Sequence, residues 1–486
     1  MKLKVALLLL SFLAIPIAKA DLIKAEKIYF NKNTKFRNIL IAQELYKSKA
    51  FYSAAIFAKE HLVTDKVMTP ELEDMLETLI LKTGTLSFFT LSDEILDQKD
   101  SPSLRFILGL KSIHYERYNK AIAALKDFPK DHRFTPEAYL MLGTAYNILG
   151  KHNESIQAYG SCIQLSSKIE KEAKVERLER YFGIIRESCV IHKARSLFRH
   201  KKYEEALAIY EEIPKTSYRW PYLLLEKAWT SYYLKDYNRT LGLLTTYKSP
   251  LLTSYFFPEA EVLSALSYFR LCLWDDTMVM VDQYYKVYKP QSDALKKFIL
   301  KEKNSQTFFL KMMLSPIREQ EHLNPYIRNL ITQTRKKVKF SLDLINYKKA
   351  QNEFKQLSER KKRSAFVNLL TEELKGIVSW RTKHLNHYIK KEMFDFVNDI
   401  HRFSYEMFNI KLEVMSLKRD LLYSNEKLVA DRSRGDYSNV NRKIDQHFYH
   451  FDGEFWGDEL GDYSFGLKSN CERVESKEES LQGARR

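Results

Sequence analysis

Apolar residues fall at alternating steps of four and three along one stretch of the chain: Ile389, Met393, Phe396, Ile400, Phe403, Met407, Ile410, Val414, Leu417 and Leu421. This is the spacing of a single helix face, held for more than four heptads. It predicts a long helix with a continuous seam. An earlier stretch, about Lys339 to Trp380, carries Leu342, Ile345, Phe354, Leu357, Leu370, Leu374 and Ile377 at looser helical spacing. Between residues 291 and 430 only Pro316, Pro325 and Gly376 break the pattern, so the helices there are long. An antiparallel hairpin of the two helices would bury both stripes. A homo-oligomer joined through the 389–421 seam is the alternative.

Upstream the rhythm is shorter. The segment "PEAYLMLGTAYNILGKHNESIQAYGSCIQL", from Pro136, sets Tyr139, Leu142-Gly143 and Tyr146 before a turn at Gly150, then Ser155, Tyr159 and Cys162. Small residues at Gly143 and Ser155 let two helices cross tightly, and the tyrosines fill the space beside them. Looser copies repeat the frame, with the small residue of the second helix at Ala54, Ala121, Ser155, Ala206, Thr240 and Thr277. Their intervals are 67, 34, 51, 34 and 37. The 67 leaves room for a degenerate unit in "TPELEDMLETLILKTGTLSFFTLSDEIL". The 51 implies an insertion matching "SKIEKEAKVERLERYFG".

Over roughly residues 35–290 the chain therefore resembles the tetratricopeptide-repeat family, with six or seven repeats. The resemblance implies an all-α solenoid whose first helices line a groove, which in other members holds an extended peptide or a partner helix. The groove-facing slots fall on Arg195, Phe198 and Arg199, on Trp229, Tyr232 and Tyr233, and on Phe269 and Arg270. Such a basic, aromatic strip suits an acidic or aromatic segment; the alternative is that several of these rings face the stack. The carboxylate-clamping variant of the family is not evident, since Thr144 and Asn147 stand in its slots. The expected organisation is a repeat solenoid over 35–290, a basic long-helix domain over 291–430, an aromatic and acidic segment over 431–471, and a disordered tail over 472–486.

The first twenty residues, "MKLKVALLLLSFLAIPIAKA", join two lysines, an apolar run and a small-x-small site. They read as a secretory signal cleaved near Ala20-Asp21, with no later transmembrane segment and a periplasmic location. The formal charge of +17 is uneven. Residues 292–430 carry 28 Lys/Arg against 16 Asp/Glu, whereas the last 56 residues net −3. Nucleic acid is not an expected partner in that compartment. Anionic lipid or cell-wall polymer would suit the basic segment if its charge is functional. Cys162, Cys189 and Cys272 sit in helical patterns and read as buried free thiols, although a Cys162–Cys189 bridge stays open; Cys471 stands alone.

No HExxH, GxSxG, phosphate loop or paired CxxC occurs. No cofactor, metal site or catalytic set is expected; His384/His387 and His447/His450 read as surface pairs. The most unusual stretch is "HFYHFDGEFWGDELGDYSFGLKSNC", residues 447–471, which holds four of the 14 glycines. It lacks the ligand spacing of a calcium loop. Gly453, Gly457 and Gly461 oppose a helix and suggest turns presenting Phe451, Phe455, Trp456 and Tyr463, with Asp458 and Glu459 between them. So much aromatic area either packs on the chain's own basic helices or docks a partner. Over some twenty residues of 486 the ending is also similar to the aromatic-acidic ends of exported repeat proteins of gliding-type cell-envelope machineries. The expectation is a non-enzymatic periplasmic scaffold for protein partners in an envelope complex. The alternatives are an envelope binder for lipid or wall polymer, or a self-assembling structural protein.

Overall fold

The computed structural model describes residues 19–253, 255, 257–321, 323–360, 363–423 and 447–471. The signal-like segment up to residue 18 lies outside them, as does the tail from 472. The described chain is all-α apart from one short parallel pairing near its end. In order the helices are α1 (Lys19–Phe30), α2 (Arg37–Lys47), α3 (Phe51–Thr64), α4 (Pro70–Thr83), α5 (Asp93–Leu96), α6 (Pro102–His114), α7 (Tyr118–Leu125), α8 (Thr135–Ile148), α9 (His152–Glu172) and α10 (Glu176–Arg199). There follow α11 (Tyr203–Tyr210), α12 (Trp220–Tyr233), α13 (Tyr237–Thr245), α14 (Pro258–Arg270), α15 (Trp274–Lys301), α16 (Phe308–Leu314), α17 (Pro325–Lys336), α18 (Val338–Ser358) and α19 (Ala365–Tyr423). Among the described residues no helix is long and apolar enough to cross a membrane.

One turn is built again and again. At Lys49, Glu116, Gly150, Lys201, Lys235 and Cys272 the backbone takes φ between 54° and 75°. The next residue donates its N–H to the carbonyl five back: Ala50 to Leu45, Arg117 to Ser112, Lys151 to Tyr146, Lys202 to Leu197, Asp236 to Ser231 and Leu273 to Tyr268, at 2.7–3.0 Å. This is the Schellman closure of a first helix, which satisfies a carbonyl the helix end leaves orphaned. A side chain in this conformation costs about 1–2 kcal/mol, which the closure offsets at the five non-glycine sites. One residue further on, Phe51, Tyr118, His152, Tyr203, Tyr237 or Trp274 opens the second helix. Three residues later still come the small residues Ala54, Ala121, Ser155, Ala206, Thr240 and Thr277, all fully buried. The structure therefore has tetratricopeptide-like helix pairs, spaced as the sequence indicated. In the clearest pair a β-carbon at Gly143 would strike the Tyr159 ring, and at Gly109 it would strike Leu125.

Two departures from the frame have local causes. After α4, Gly84 takes φ 83°, and the second helix of that unit is reduced to a 3₁₀ turn over Thr85–Phe88 and the short α5. The insertion between the units of α8 and α10 is helical except for residues 173–175. It lengthens α9 to 21 residues and α10 to 24, held together by Phe182, Ile185 and the Glu170–Arg186 pair (2.7 Å).

The chain divides into two compact units, one of residues up to Cys189 together with Lys337–Asn386, the other Val190–Lys336 together with the residues from His387 onward. Residues 291–430 are thus shared between the units. In the first unit Ala350, Leu357, Phe366, Leu370 and Leu374 complete the core of α1–α8. Two ionisable side chains there answer helix ends. Glu353 accepts from the amides of Tyr52 (2.9 Å) and Ser53 (2.8 Å) at the start of α3, and Arg381 donates to the Thr83 carbonyl (2.7 Å) at the end of α4. In its charged form each has the sign the helix dipole favours.

The expected hairpin between Lys339–Trp380 and the seam helix does not form. The first stretch is divided between α18, which ends at Ser358, and α19, which starts at Ala365 and runs on through the seam for 59 residues. Gly376, with helical context and nothing within 4 Å, does not interrupt it. The seam, offered as a possible oligomer contact, packs within the chain. Ile400, Phe403, Met407, Ile410 and Val414 are buried in the second unit against Trp274, Met280, Val281, Tyr284 and Tyr288 of α15. Tyr284 and Tyr285 donate to the carbonyls of Ile400 (3.0 Å) and Ser404 (2.6 Å).

The cysteines are paired, not free. Cys162–Cys189 joins α9 to α10, whose pairing brings their Cα atoms to 6.2 Å. Cys272–Cys471 joins the turn after α14 to the end of the C-terminal segment. Cys272 is not helical at all: it is the positive-φ residue of its turn.

Candidate functional site

The aromatic slots of the second unit assemble around the recurring turn. Tyr203 and Tyr237 are the first residues of α11 and α13, whereas Trp229, Tyr232 and Tyr233 lie in the last turns of α12. Tyr233 stands between two rings, stacked on Tyr203 (centroids 5.1 Å, 9° between planes) and on Trp229 (6.0 Å, 29°). Phe198, from the end of α10, meets Tyr203 and Tyr233 edge-on. Tyr232 packs edge-on against Trp229 and Tyr237. The result is a shelf of six rings, with Tyr233 48 % exposed at its face.

Several polar groups around the shelf bond within the chain. Arg195 makes a two-pronged pair with Glu226 (2.8 and 2.6 Å), and the same carboxylate accepts from the Tyr210 hydroxyl (2.8 Å). Burial and the Glu226 carboxylate hold the Tyr210 phenol well above its ordinary range. Trp229 donates its indole N–H to Glu259 (2.8 Å), and Arg270 donates to the Tyr232 hydroxyl (3.1 Å). His192, one turn before Arg195, is pushed down to about 4 by burial and by Arg195 and Arg219, so it is neutral near pH 7. Of the strip's three arginines, Arg195 is thus paired with a carboxylate and Arg270 is bonded to a phenol.

Of the eight slots read from sequence, Arg195, Phe198, Trp229, Tyr232, Tyr233 and Arg270 come together here. Arg199 is exposed in the last turn of α10. Phe269 leaves the strip and packs into the core between α14, α15 and α19. Tyr203, Tyr237, Glu226 and Glu259 were not among those slots. The two tyrosines had a signal, since a ring opens each second helix of the repeat; the glutamates had none.

A second feature lies on α12 and α13. Residues 447–471 form a strap whose contacts among the described residues are with the repeat helices. Its ends pair as β1 (Tyr449–His450) and β2 (Tyr463–Ser464), in parallel. Phe451, Phe455, Leu460 and Tyr463 pack with Trp220, Leu224, Ala228 and Leu243. Buried Arg239 donates to the carbonyls of Gly461 (2.7 Å) and Tyr463 (2.8 Å), with the Phe448 ring over its guanidinium at 4.1 Å. Asn238 brackets Leu467, accepting from its N–H (2.9 Å) and donating to its carbonyl (3.0 Å). Of the acids, Asp462 pairs with Lys215 (2.6 Å), which also donates to the Asp458 carbonyl (2.6 Å). The Asp458 side chain is exposed and Glu459 half-buried. Trp456, at 58 % exposure, and Tyr449, at 40 %, are rings the strap leaves in solvent. Beneath it, burial and neighbouring Arg239 push the Lys227 amine down to about 8, with Glu211 and Asp462 opposing.

No family model and no curated protein sequence matches the chain. Among solved structures it is similar to the apo form of RapI, at 12 % identity over 76 % of this chain and 99 % of that one, with a TM-score of 0.34. It is also similar to the Rap conjugation gene regulator of the plasmid pLS20 in complex with the Phr* peptide, at 10 % identity over 74 % and 97 %, with a TM-score of 0.28. A third likeness, to the APC/C hetero-tetramer Cut9–Hcn1, covers 83 % and 93 % at 12 % identity, with a TM-score of 0.23. At these scores the likeness is loose, and the fold class rests on the helix pairs themselves.

Proposed function

We propose that the chain is a non-enzymatic scaffold that holds a protein partner in an envelope complex, and that the shelf of Phe198, Tyr203, Trp229, Tyr232, Tyr233 and Tyr237 is where the partner binds. The observation that carries this is Tyr233, half exposed between two stacked rings while Arg195 nearby is paired with Glu226. Flat, preformed aromatic faces bind with little loss of side-chain freedom, and such rings are the common anchors of protein interfaces. The favoured ligand is an extended segment that inserts an aromatic or proline side chain, bound with weak dependence on salt. A periplasmic site is supported by the signal-like start and by the two disulfides, which persist in oxidising compartments.

The test is crosslinking in intact cells with identification by mass spectrometry, comparing the natural chain with Tyr233→Ser. Tyr233 supports no core, so the variant should keep its thermal stability and lose a defined partner. An unchanged partner set with the fold intact removes the shelf from the interface. Fractionation with cytoplasmic markers would remove the periplasmic placement.

A further inference from the structure

The seam of α19 is consumed by α15, yet a second apolar line runs down the opposite face of the same helix. Tyr405, Phe408, Leu412, Met415, Arg419 and Leu422 follow one another at steps of three, four, three, four and three. Tyr405 is 68 % exposed, Phe408 48 %, Leu412 49 %, Met415 54 % and Leu422 74 %. Isolated exposed apolar residues are ordinary, but a line of them at heptad spacing is the facing seam of a two-helix coiled coil. It spans about 27 Å of helix.

We infer that this stripe is a dimer interface, and that its occupant is the same stripe on a second copy of the chain, running antiparallel. The order of residues is the first reason. A two-fold axis between Glu413 and Val414 sets Tyr405 against the partner's Leu422, Leu412 against the partner's Met415, and Phe408 under the partner's Arg419. The single charged member of the line thereby meets an aromatic face, a favourable cation–π contact. A parallel pairing would instead set the two Arg419 guanidiniums against each other. The flanks are the second reason. Asn409 and Ser416 border one side. Lys411 and Lys418 border the other, where Asp282 (3.3 Å) and Asp275 (2.5 Å) of the same chain neutralise them, so they do not repel across the pair. Area is the third. Five large side chains exposing between 48 and 74 % of themselves, with the stems of their neighbours, approach the roughly 800 Å² per partner of a standard interface.

The experiment is sedimentation equilibrium of the full mature chain between about 1 and 100 µM, beside the double variant Phe408→Glu/Leu412→Glu. Both side chains are already half in solvent, so the variant should keep the helical content and melting temperature of the natural chain. A dimer that becomes a folded monomer in the variant is the expected result. Orientation follows from cysteine pairing: Leu412→Cys mixed with Met415→Cys should crosslink, and each alone should not. Crosslinking of each variant alone would overturn the antiparallel arrangement. A natural chain that is monomeric throughout, or a dimer indifferent to the double variant, would overturn the interface. A monomer in which Met415→Cys resists alkylation would assign the stripe to another occupant.

Discussion

The carbonyl oxygen of Tyr463 rests where a β-carbon would stand on Gly242, in the middle of α13. A mid-helix glycine costs about 1 kcal/mol relative to alanine, and here it admits the strap's backbone. Gly242→Ala should therefore leave α13 at least as helical and displace the strap. Hydrogen exchange at Gly461 and Phe465, whose amides bond to Thr246 and Asn238, should accelerate by tenfold or more. Unchanged exchange there would mean the strap shifts aside without losing its contacts.

The two disulfides should differ in weight. Cys272–Cys471 spans 199 residues and Cys162–Cys189 spans 27. In the chain-entropy description these closures are worth about 5 and about 3.5 kcal/mol. Cys471→Ser should thus lower the melting temperature more than Cys189→Ser and make the strap a protease target, while the α9–α10 arm stays resistant. Equal losses, or a larger one for Cys189→Ser, would show that the strap is held by Arg239, Asn238 and its rings without need of the bridge.

Two glycines in open space give a cleaner comparison. Neither Gly150 nor Gly376 has an atom within 4 Å of an added β-carbon, but only Gly150 has positive φ, 75°. Gly150→Ala should cost about 1–2 kcal/mol through backbone strain alone. Gly376→Ala should gain about 0.5–1 kcal/mol by restricting the unfolded chain and favouring helix. Urea unfolding of both variants reads the two signs.

Much of the repeat architecture was legible because its turn is local. The residues at αL, at the ring position and at the small position lie within six places of one another, so each copy writes the same short phrase. The intervals of the small residues are accordingly those of the positive-φ residues from Lys49 to Cys272. The seam of α19 was equally plain as a face, but a helical period says only that a face is buried and not what buries it. That is why α15 was missed as its partner. Nothing near Cys272 announces Cys471, since the two meet only after the strap has crossed α13. Gly242 was the one local sign of that crossing. In the shelf, the rings follow from repeat position. Glu226, the partner of Arg195, was hidden because an acid on an exposed helix looks the same whether it faces solvent or an arginine on the next pair.

The carboxyl group of Glu353 is enclosed between α18 and the first turn of α3. It accepts from the amides of Tyr52 and Ser53 and from the Ser53 hydroxyl (2.8 Å), and the Arg381 guanidinium lies over the Tyr52 ring beside it. Burial pushes the carboxyl up from 4.5 to about 7, against the pull of those three donors. For an acid raised in the native state, both states are protonated below about pH 4.5 and the group has no effect. Between 4.5 and 7 the unfolded chain ionises first, so stability falls as pH rises, and above 7 the loss is complete. A shift of this size corresponds to roughly 3 kcal/mol. Glu353→Gln keeps the shape and one acceptor without the titration. The natural chain should lose stability from pH 4.5 to pH 8 relative to the glutamine variant, read as the difference between two pH series of urea unfolding midpoints for the first unit. Parallel series would mean that the amides of α3 hold the carboxylate charged throughout, and that the helix dipole outweighs the cost of burial.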